Sequence, residues 1–234
     1  MYPGLTITPP FFEIGPKAFL YGEQALQLAL HAEGLAQEFG VQIIFTPQYV
    51  DIPLIARRVQ RLLVFAQHMD TLKVGRGVGS VLPEAIKAAG AKGVLLNHAE
   101  KPLAYETIRD TVQRADEVGL ATLVCAGDID QVRKVAALCP NILLAESPAL
   151  IGTGKRLEND REEIARINQI VWQVNPDVFV LHGAGISDEK DVYRIIACGA
   201  QGTGSTSGII LAEDPLAMLT KMIRAVREAW DNYH

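Results

Sequence analysis

Four ionisable side chains stand where an apolar run gives way to a turn. Lys17 follows the run at 11–15, His98 and Glu100 follow Leu95-Leu96-Asn97, and Glu146 ends the run at 141–145. A carboxylate facing an imidazole suits abstraction of a proton next to a carbonyl, because the carboxylate takes the proton while the imidazole polarises the oxygen. A lysine beside them neutralises charge that builds on an enediolate or resides on a phosphate. Three glycine-rich stretches accompany the set: Ile151-Gly152-Thr153-Gly154, His182-Gly183-Ala184-Gly185-Ile186-Ser187, and Gly202-Thr203-Gly204-Ser205-Thr206-Ser207-Gly208. Bare backbone N–H groups in such turns can wrap a phosphate dianion. Segment 147–154 has the length and small residues of a lid that shuts over a reactive intermediate.

Taken singly, each of these residues has a commoner role. A lysine after a strand is usually solvated, a histidine after an apolar run is usually a satisfied buried side chain, and a glutamate at a strand end is usually an ion-pair member. The chemical reading therefore requires them to meet at one place. His68 and Asp70 in Gln67-His68-Met69-Asp70 resemble half of a metal site, but no partner cluster accompanies them and no metal is expected. His31 and His234 read as ordinary.

What could bring the set together is an alternation of short apolar runs with longer helical patterns. Strands are predicted at 11–15, 41–45, 62–66, 93–97, 121–125, 141–145, 178–182 and 202–204. Runs such as Val-Gln-Ile-Ile-Phe and Val-Phe-Val-Leu-His are apolar almost throughout, as a parallel strand covered on both faces requires. Helices are predicted at 22–38, 83–90, 104–117, 129–138, from 159 or 160 to 174, 188–198 and 215–230, with Pro83 opening one and Gly40, Gly119 and Gly199 closing others. Strand–helix units spaced by about 30 residues fit a (β/α)8 barrel, an α/β fold whose active site lies at the C-terminal ends of the strands. A doubly wound sheet would want a glycine-rich turn after its first strand, and Gly15-Pro16-Lys17 is not one. No linker or low-complexity segment divides the chain, so residues 1–234 are expected to form a single domain.

Bulk properties bound the rest. With 49% hydrophobic and 21% charged residues, the chain can bury a core without disulfides or metal. A net charge of −5 and the lack of any basic run give no attraction to nucleic acid or to an anionic membrane, and no apolar stretch approaches the ~20 residues that span a bilayer. Cys125, Cys139 and Cys198 are scattered, which reads as reduced thiols in a cytoplasmic protein, and Met1-Tyr2-Pro3-Gly4 carries no sign of a signal peptide.

Several stretches carry a family resemblance. Leu95-Leu96-Asn97-His98-Ala99-Glu100, Ala145-Glu146 with Ile151-Gly152-Thr153-Gly154 five residues on, and the His182–Ser187 turn resemble triosephosphate isomerase, particularly its short archaeal-type branch. Ala66-Gln67-His68-Met69-Asp70 and Leu82-Pro83-Glu84-Ala85 are similar to that branch too, and the likeness runs from residue 11 to the end of the chain. It implies a TIM barrel that isomerises a small sugar phosphate, dihydroxyacetone phosphate to glyceraldehyde 3-phosphate. It also implies Glu146 as base, His98 as an electrophile kept neutral by a helix N-terminus, and Lys17 as the active-site lysine with Glu100 as its partner. Ile151 with Gly152, Gly185, Thr206 and Ser207 match phosphate-contacting positions. The resemblance implies no metal or organic cofactor, and a homo-oligomer, tetramer or dimer.

The departures bear on the substrate. Gly15 in Ile14-Gly15-Pro16-Lys17 stands where the family has an asparagine that helps to hold the substrate, and Val78 stands where a neighbouring subunit's loop supplies a threonine. Ala99 replaces a serine, Ser147 a proline, and Thr206 a small residue in the last phosphate turn. Each hydrogen bond lost to substrate costs about 1–3 kcal/mol, which lowers triose turnover about 10- to 100-fold, and the glycine makes room for a larger or differently hydroxylated substrate. Two alternatives follow: an isomerase for a tetrulose phosphate such as an erythrulose phosphate, or a barrel that has lost catalysis and binds a phosphorylated metabolite. Retention of Glu146, His98 and Lys17 weighs against the second. A barrel aldolase would show a Schiff-base lysine at the end of a central strand, and none is offered there.

Overall fold

The computed structural model describes residues 1–146 and 160–234. Eight parallel strands close into a barrel in chain order: β1 Phe11–Ile14, β2 Gln42–Phe45, β3 Leu63–Ala66, β4 Gly93–Leu96, β5 Ala121–Ala126, β6 Ile142–Ala145, β7 Phe179–His182 and β8 Gly202–Gly204. Phe11 lies opposite Gln42 on one side and Gly202 on the other, which closes the ring. Every strand falls within one residue of its expected bounds. The closed sheet excludes the doubly wound rival.

Side-chain alternation along the strands divides the core into two layers. Phe11, Ile44, Phe65, Leu123, Ile142, Leu144 and Leu181 fill the barrel interior. Their neighbours Phe12, Ile14, Ile43, Phe45, Val64, Val94, Val124, Leu143 and Val180 pack outward under the helices. Both faces are thus apolar, which explains strands without polar alternation. The poor strand former Gly-Thr-Gly of β8 has a steric reason: a Cβ at Gly202 would collide with the Phe11 ring, so glycine admits the large interior aromatic.

The covering helices are α1 Gly22–Phe39, α2 Ile52–Ala56, α3 Pro83–Ala88, α4 Tyr105–Val118, α5 Ile129–Ala136, α6 Asp160–Val174, α7 Glu189–Ala197, α8 Ser207–Ile210 and α9 Pro215–Tyr233. The expected stop at Gly40 is a left-handed cap, φ 62°, whose N–H bonds the Ala36 carbonyl at 3.1 Å. Asp188, expected as the first helical residue, instead caps α7, its carboxylate accepting from the N–H groups of Lys190 and Asp191. Two helices were not expected from the sequence, α2 with the 3-10 turn Tyr49–Asp51 before it, and α8. Both are too short for a helical period to show. Among the described residues, no helix is long and apolar enough to cross a membrane.

Candidate active site at the barrel mouth

The inward rows of the strands run on beyond their last apolar residue. Glu13 and Gly15 continue the row of Phe11, Thr46 that of Ile44, Gln67 that of Phe65, Glu146 that of Ile142 and Leu144, and Gly183 that of Leu181. These residues line a cavity of about 430 Å³ at the C-terminal ends of the strands, together with Lys17, His98 and Glu100. Side chains expected to converge therefore do converge, from β1, β4 and β6.

His98 needs a device to arrive there. Leu95 points inward, so strict alternation would aim residue 97 into the mouth and residue 98 away from it. Asn97 breaks the alternation with a left-handed backbone, φ 58°, and secures it: its Nδ2 donates to the Cys125 carbonyl at 2.9 Å and its Oδ1 accepts from Leu103 N–H at 2.9 Å. The imidazole then turns over the cavity. Its Nδ1 accepts the Glu100 N–H at 3.1 Å, which leaves the proton of the neutral ring on Nε2. Burial, followed by the Lys17 charge, holds the His98 pKa below its ordinary value against the pull of Glu100. The sequence-based expectation of a helix N-terminus here is corrected: the segment after β4 is a turn closed by Lys101 N–H on the His98 carbonyl at 2.8 Å, and α4 begins only at Tyr105.

Glu146 faces His98, with Oε2 3.6 Å from Nε2, and both side chains are largely buried, 15% and 14% exposed. Burial raises the Glu146 pKa, Lys17 opposes the rise, Glu100 adds to it, and a backbone N–H from Ala184 opposes it. A carboxylate poorly solvated in this way is a stronger base than one in water. Lys17 reaches across from β1 and its Nζ donates to Glu100 Oε1 at 2.5 Å, so the expected pairing is present.

Lys17 also carries backbone strain, φ 48°. Its carbonyl accepts from two side-chain amides, Gln48 Nε2 at 2.7 Å and Gln67 Nε2 at 3.0 Å, and Gln67 Nε2 bridges on to the Thr46 carbonyl at 3.0 Å. Neither glutamine was singled out from the sequence. Their targets are main-chain carbonyls, which carry no residue signature. Glu13 was missed as well, although a carboxylate two positions after Phe11 in an apolar strand is visible in the sequence as an inward-facing charge.

On the far side of the mouth the turns after β7 and β8 meet. Ala184 and Gly185 are both left-handed, φ 66° and 70°, and Gly208 lets the two turns touch, since a Cβ there would lie 2.7 Å from the Ile186 carbonyl. Gly185, Thr206 and Ser207 all line the cavity. Thr206 differs in one respect: its hydroxyl donates to the Gly15 carbonyl at 2.8 Å and ties β8 to β1. Gly15 itself is packed against the Glu13 carboxyl and Thr46, not against open space. Ile151 and Gly152 lie outside the described residues. His68 pairs with Asp70, and among the described residues no group of three or more side chains could hold a metal.

Comparison with known proteins agrees with this geometry. Residues 17–226 match the family model described as triosephosphate isomerase. The triosephosphate isomerase of Methanobacterium bryantii is 41% identical over 206 residues, 88% of this chain and 91% of that protein. That of Methanothermus fervidus is 39% identical over 203 residues, covering 86% and 91%. That of Sulfurisphaera tokodaii is 34% identical over 227 residues, covering 95% and 98%.

Proposed function

The chain belongs to the triosephosphate isomerase family, and on that premise we propose that it interconverts dihydroxyacetone phosphate and glyceraldehyde 3-phosphate through an enediolate, with Glu146 as base and His98 as electrophile. One observation carries the assignment of roles: the Nε2–H of a neutral imidazole and the carboxylate of a poorly solvated glutamate share the mouth at 3.6 Å.

The chemistry follows from that pair. Glu146 removes a proton from C1 of the ketose, and the electrons move into the C1–C2 bond and onto the carbonyl oxygen. The Nε2–H of His98 donates to that oxygen as charge develops. His98 gives its Nε2 proton to O2 and takes the proton of O1 in exchange, so hydrogen passes from O1 to O2, and Glu146, now protonated, returns its proton to C2 as the C1–O1 bond becomes the aldehyde carbonyl. Lys17 supplies the positive charge that offsets the enediolate and the phosphate, held in place by Glu100 and by the two glutamines on its carbonyl. The turns 183–186 and 205–208 cradle the phosphate through N–H groups of left-handed and helix-opening residues, with Gly185, Thr206 and Ser207 contributing; the proposed phosphate contacts of Ile151 and Gly152 lie outside the described residues.

The partner is a small phosphorylated sugar. A second copy of the chain is the other partner, docking on loop 71–80, where Val74 and Val78 are 73% and 106% exposed. Three free thiols, one of them buried, suit the reducing cytoplasm.

Incubation with dihydroxyacetone phosphate in deuterated water tests the reaction. Deuterium should appear at C2 of the glyceraldehyde 3-phosphate formed and at C1 of the recovered dihydroxyacetone phosphate, and Glu146→Gln should slow both exchange and product formation by about 10²- to 10⁴-fold. Absence of both exchange and product in the wild-type protein would overturn the proposal.

A further inference from the structure

Glu13 takes no part in the reaction described above, yet its carboxyl lies on the floor of the same cavity. Thr46 Oγ1 donates to Oε1 at 2.7 Å and so fixes the orientation of the group. Glycines flank it on both sides. A Cβ at Gly15 would lie 2.9 Å from Oε1 and 3.1 Å from Thr46 Oγ1, and a Cβ at Gly204 would lie 3.0 Å from the Glu13 Cβ and 3.2 Å from Oε2. Any side chain at either position would push the carboxyl out of its place. Below it Phe11 fills the barrel, and across the cavity stand Glu146 and Lys17. Burial, with a further contribution from the Glu146 charge, raises the Glu13 pKa to about 7 despite Thr46 and Lys17. Near neutral pH the group is therefore protonated in a large fraction of molecules, able to give one hydrogen bond and accept others.

A polar group on the floor of a cavity is costly unless something pairs with it. A triose phosphate has two oxygens besides its phosphate, and the isomerase pair engages both at the carbonyl and its neighbouring carbon. Oε2 of Glu13 accepts no hydrogen bond among the described residues, and Glu13 lines the cavity. A hydroxyl on a further carbon would satisfy it.

We propose that Glu13 and Thr46 form a hydroxyl-binding subsite on the cavity floor, which admits, besides triose phosphates, a sugar phosphate at least one hydroxymethylene longer and binds it more tightly. The placement of the other substrate groups rests on the isomerase reading above. Glu13 thereby acts as a specificity-determining residue, and Thr46 positions it.

Two phosphorylated polyols that cannot react, glycerol 3-phosphate and erythritol 4-phosphate, provide the test by titration calorimetry. The wild-type protein should bind the four-carbon ligand at least about 10-fold more tightly than the three-carbon one, the worth of one satisfied hydrogen bond. Glu13→Met keeps the volume and removes the polar atoms, and should bring that ratio close to one. Thr46→Val leaves the carboxyl unoriented and should lower the ratio part of the way. A merely structural Glu13 would weaken both ligands alike and leave the ratio intact. A wild-type ratio near one, or a ratio unchanged in both variants, overturns the proposal, and Thr46→Val decides alone if Glu13→Met does not fold. Neither polyol has a carbonyl, so the binding ratio reports on the subsite whether or not the protein exchanges the α-proton of dihydroxyacetone phosphate.

Discussion

Nε2 of His98 and Oε2 of Glu146 stand 3.6 Å apart across the barrel mouth, brought there from β4 and β6 by different means. Glu146 simply extends the inward row of its strand, whereas His98 depends on the left-handed Asn97. Their protonation states are set in opposite directions by the same burial, which lifts the carboxyl pKa above its ordinary value and depresses that of the imidazole.

A pH profile follows from those signs. The reaction needs Glu146 ionised, so activity is lost as pH falls through its raised pKa, and His98 acquires a charge only below its ordinary 6.5. We expect kcat/KM to show an acid limb with a midpoint above 4.5. Lys17 lowers the pKa of both groups. Lys17→Met should therefore shift the limb to higher pH as well as reduce kcat. A limb unmoved in that variant would show that the lysine charge does not reach the pair.

The strained lysine gives a second expectation. Gln48 and Gln67 both donate to the Lys17 carbonyl, and their amides hold a backbone conformation that a lysine rarely adopts, φ 48°. Gln67→Ala should release it, lowering kcat/KM by about 10-fold, the equivalent of one buried hydrogen bond. In a Lys17→Met background the same substitution should cost little further, because the group being positioned has gone. Steady-state kinetics on the four proteins measures this coupling, and additive losses would assign Gln67 to stability alone.

The barrel and the reacting residues were legible in the sequence for different reasons. Strands buried on both faces write themselves as apolar runs, and residues just past such runs must lie at the barrel mouth, which marks Lys17, His98, Glu100 and Glu146. Even Gly-Thr-Gly could be placed as β8, because the spacing demanded a strand there. The supports were less visible. Gln48 and Gln67 act on a main-chain carbonyl, and nothing in a residue list says which carbonyl is strained. The turn that supplies the Glu100 N–H to His98 is one a sequence pattern cannot separate from a helix start. The Thr206 hydroxyl, expected to face a phosphate, bonds the Gly15 carbonyl from a strand 191 residues away. Glu13 was within reach of period-two reasoning, since Phe11, Glu13 and Gly15 share one face of β1.

That shared face makes the last expectation sharp. Replacement of Gly15 by the asparagine its position resembles should not restore a family-like site, because the space is taken: the new Cβ would lie 2.9 Å from Glu13 Oε1 and 3.1 Å from Thr46 Oγ1. Both neighbours line the cavity, and their mutual hydrogen bond at 2.7 Å must shift or break before the new side chain can enter. Gly15→Asn alone should cost about 1–3 kcal/mol of stability, as overpacking does. Glu13→Ala alone empties the same space and leaves the Thr46 hydroxyl only its longer contact to the Ile14 carbonyl at 3.4 Å, costing about 1–2 kcal/mol. In the double variant the asparagine enters the room the carboxyl has left and can take the Thr46 hydrogen bond. Its loss should therefore fall short of the summed single losses by at least about 1 kcal/mol, well outside the ~0.5 kcal/mol scatter of independent sites. Urea unfolding of the four proteins at one pH measures the coupling. Additivity would mean that residues 13 and 15 do not compete for one volume, and that glycine at 15 has some cause other than the carboxyl beside it.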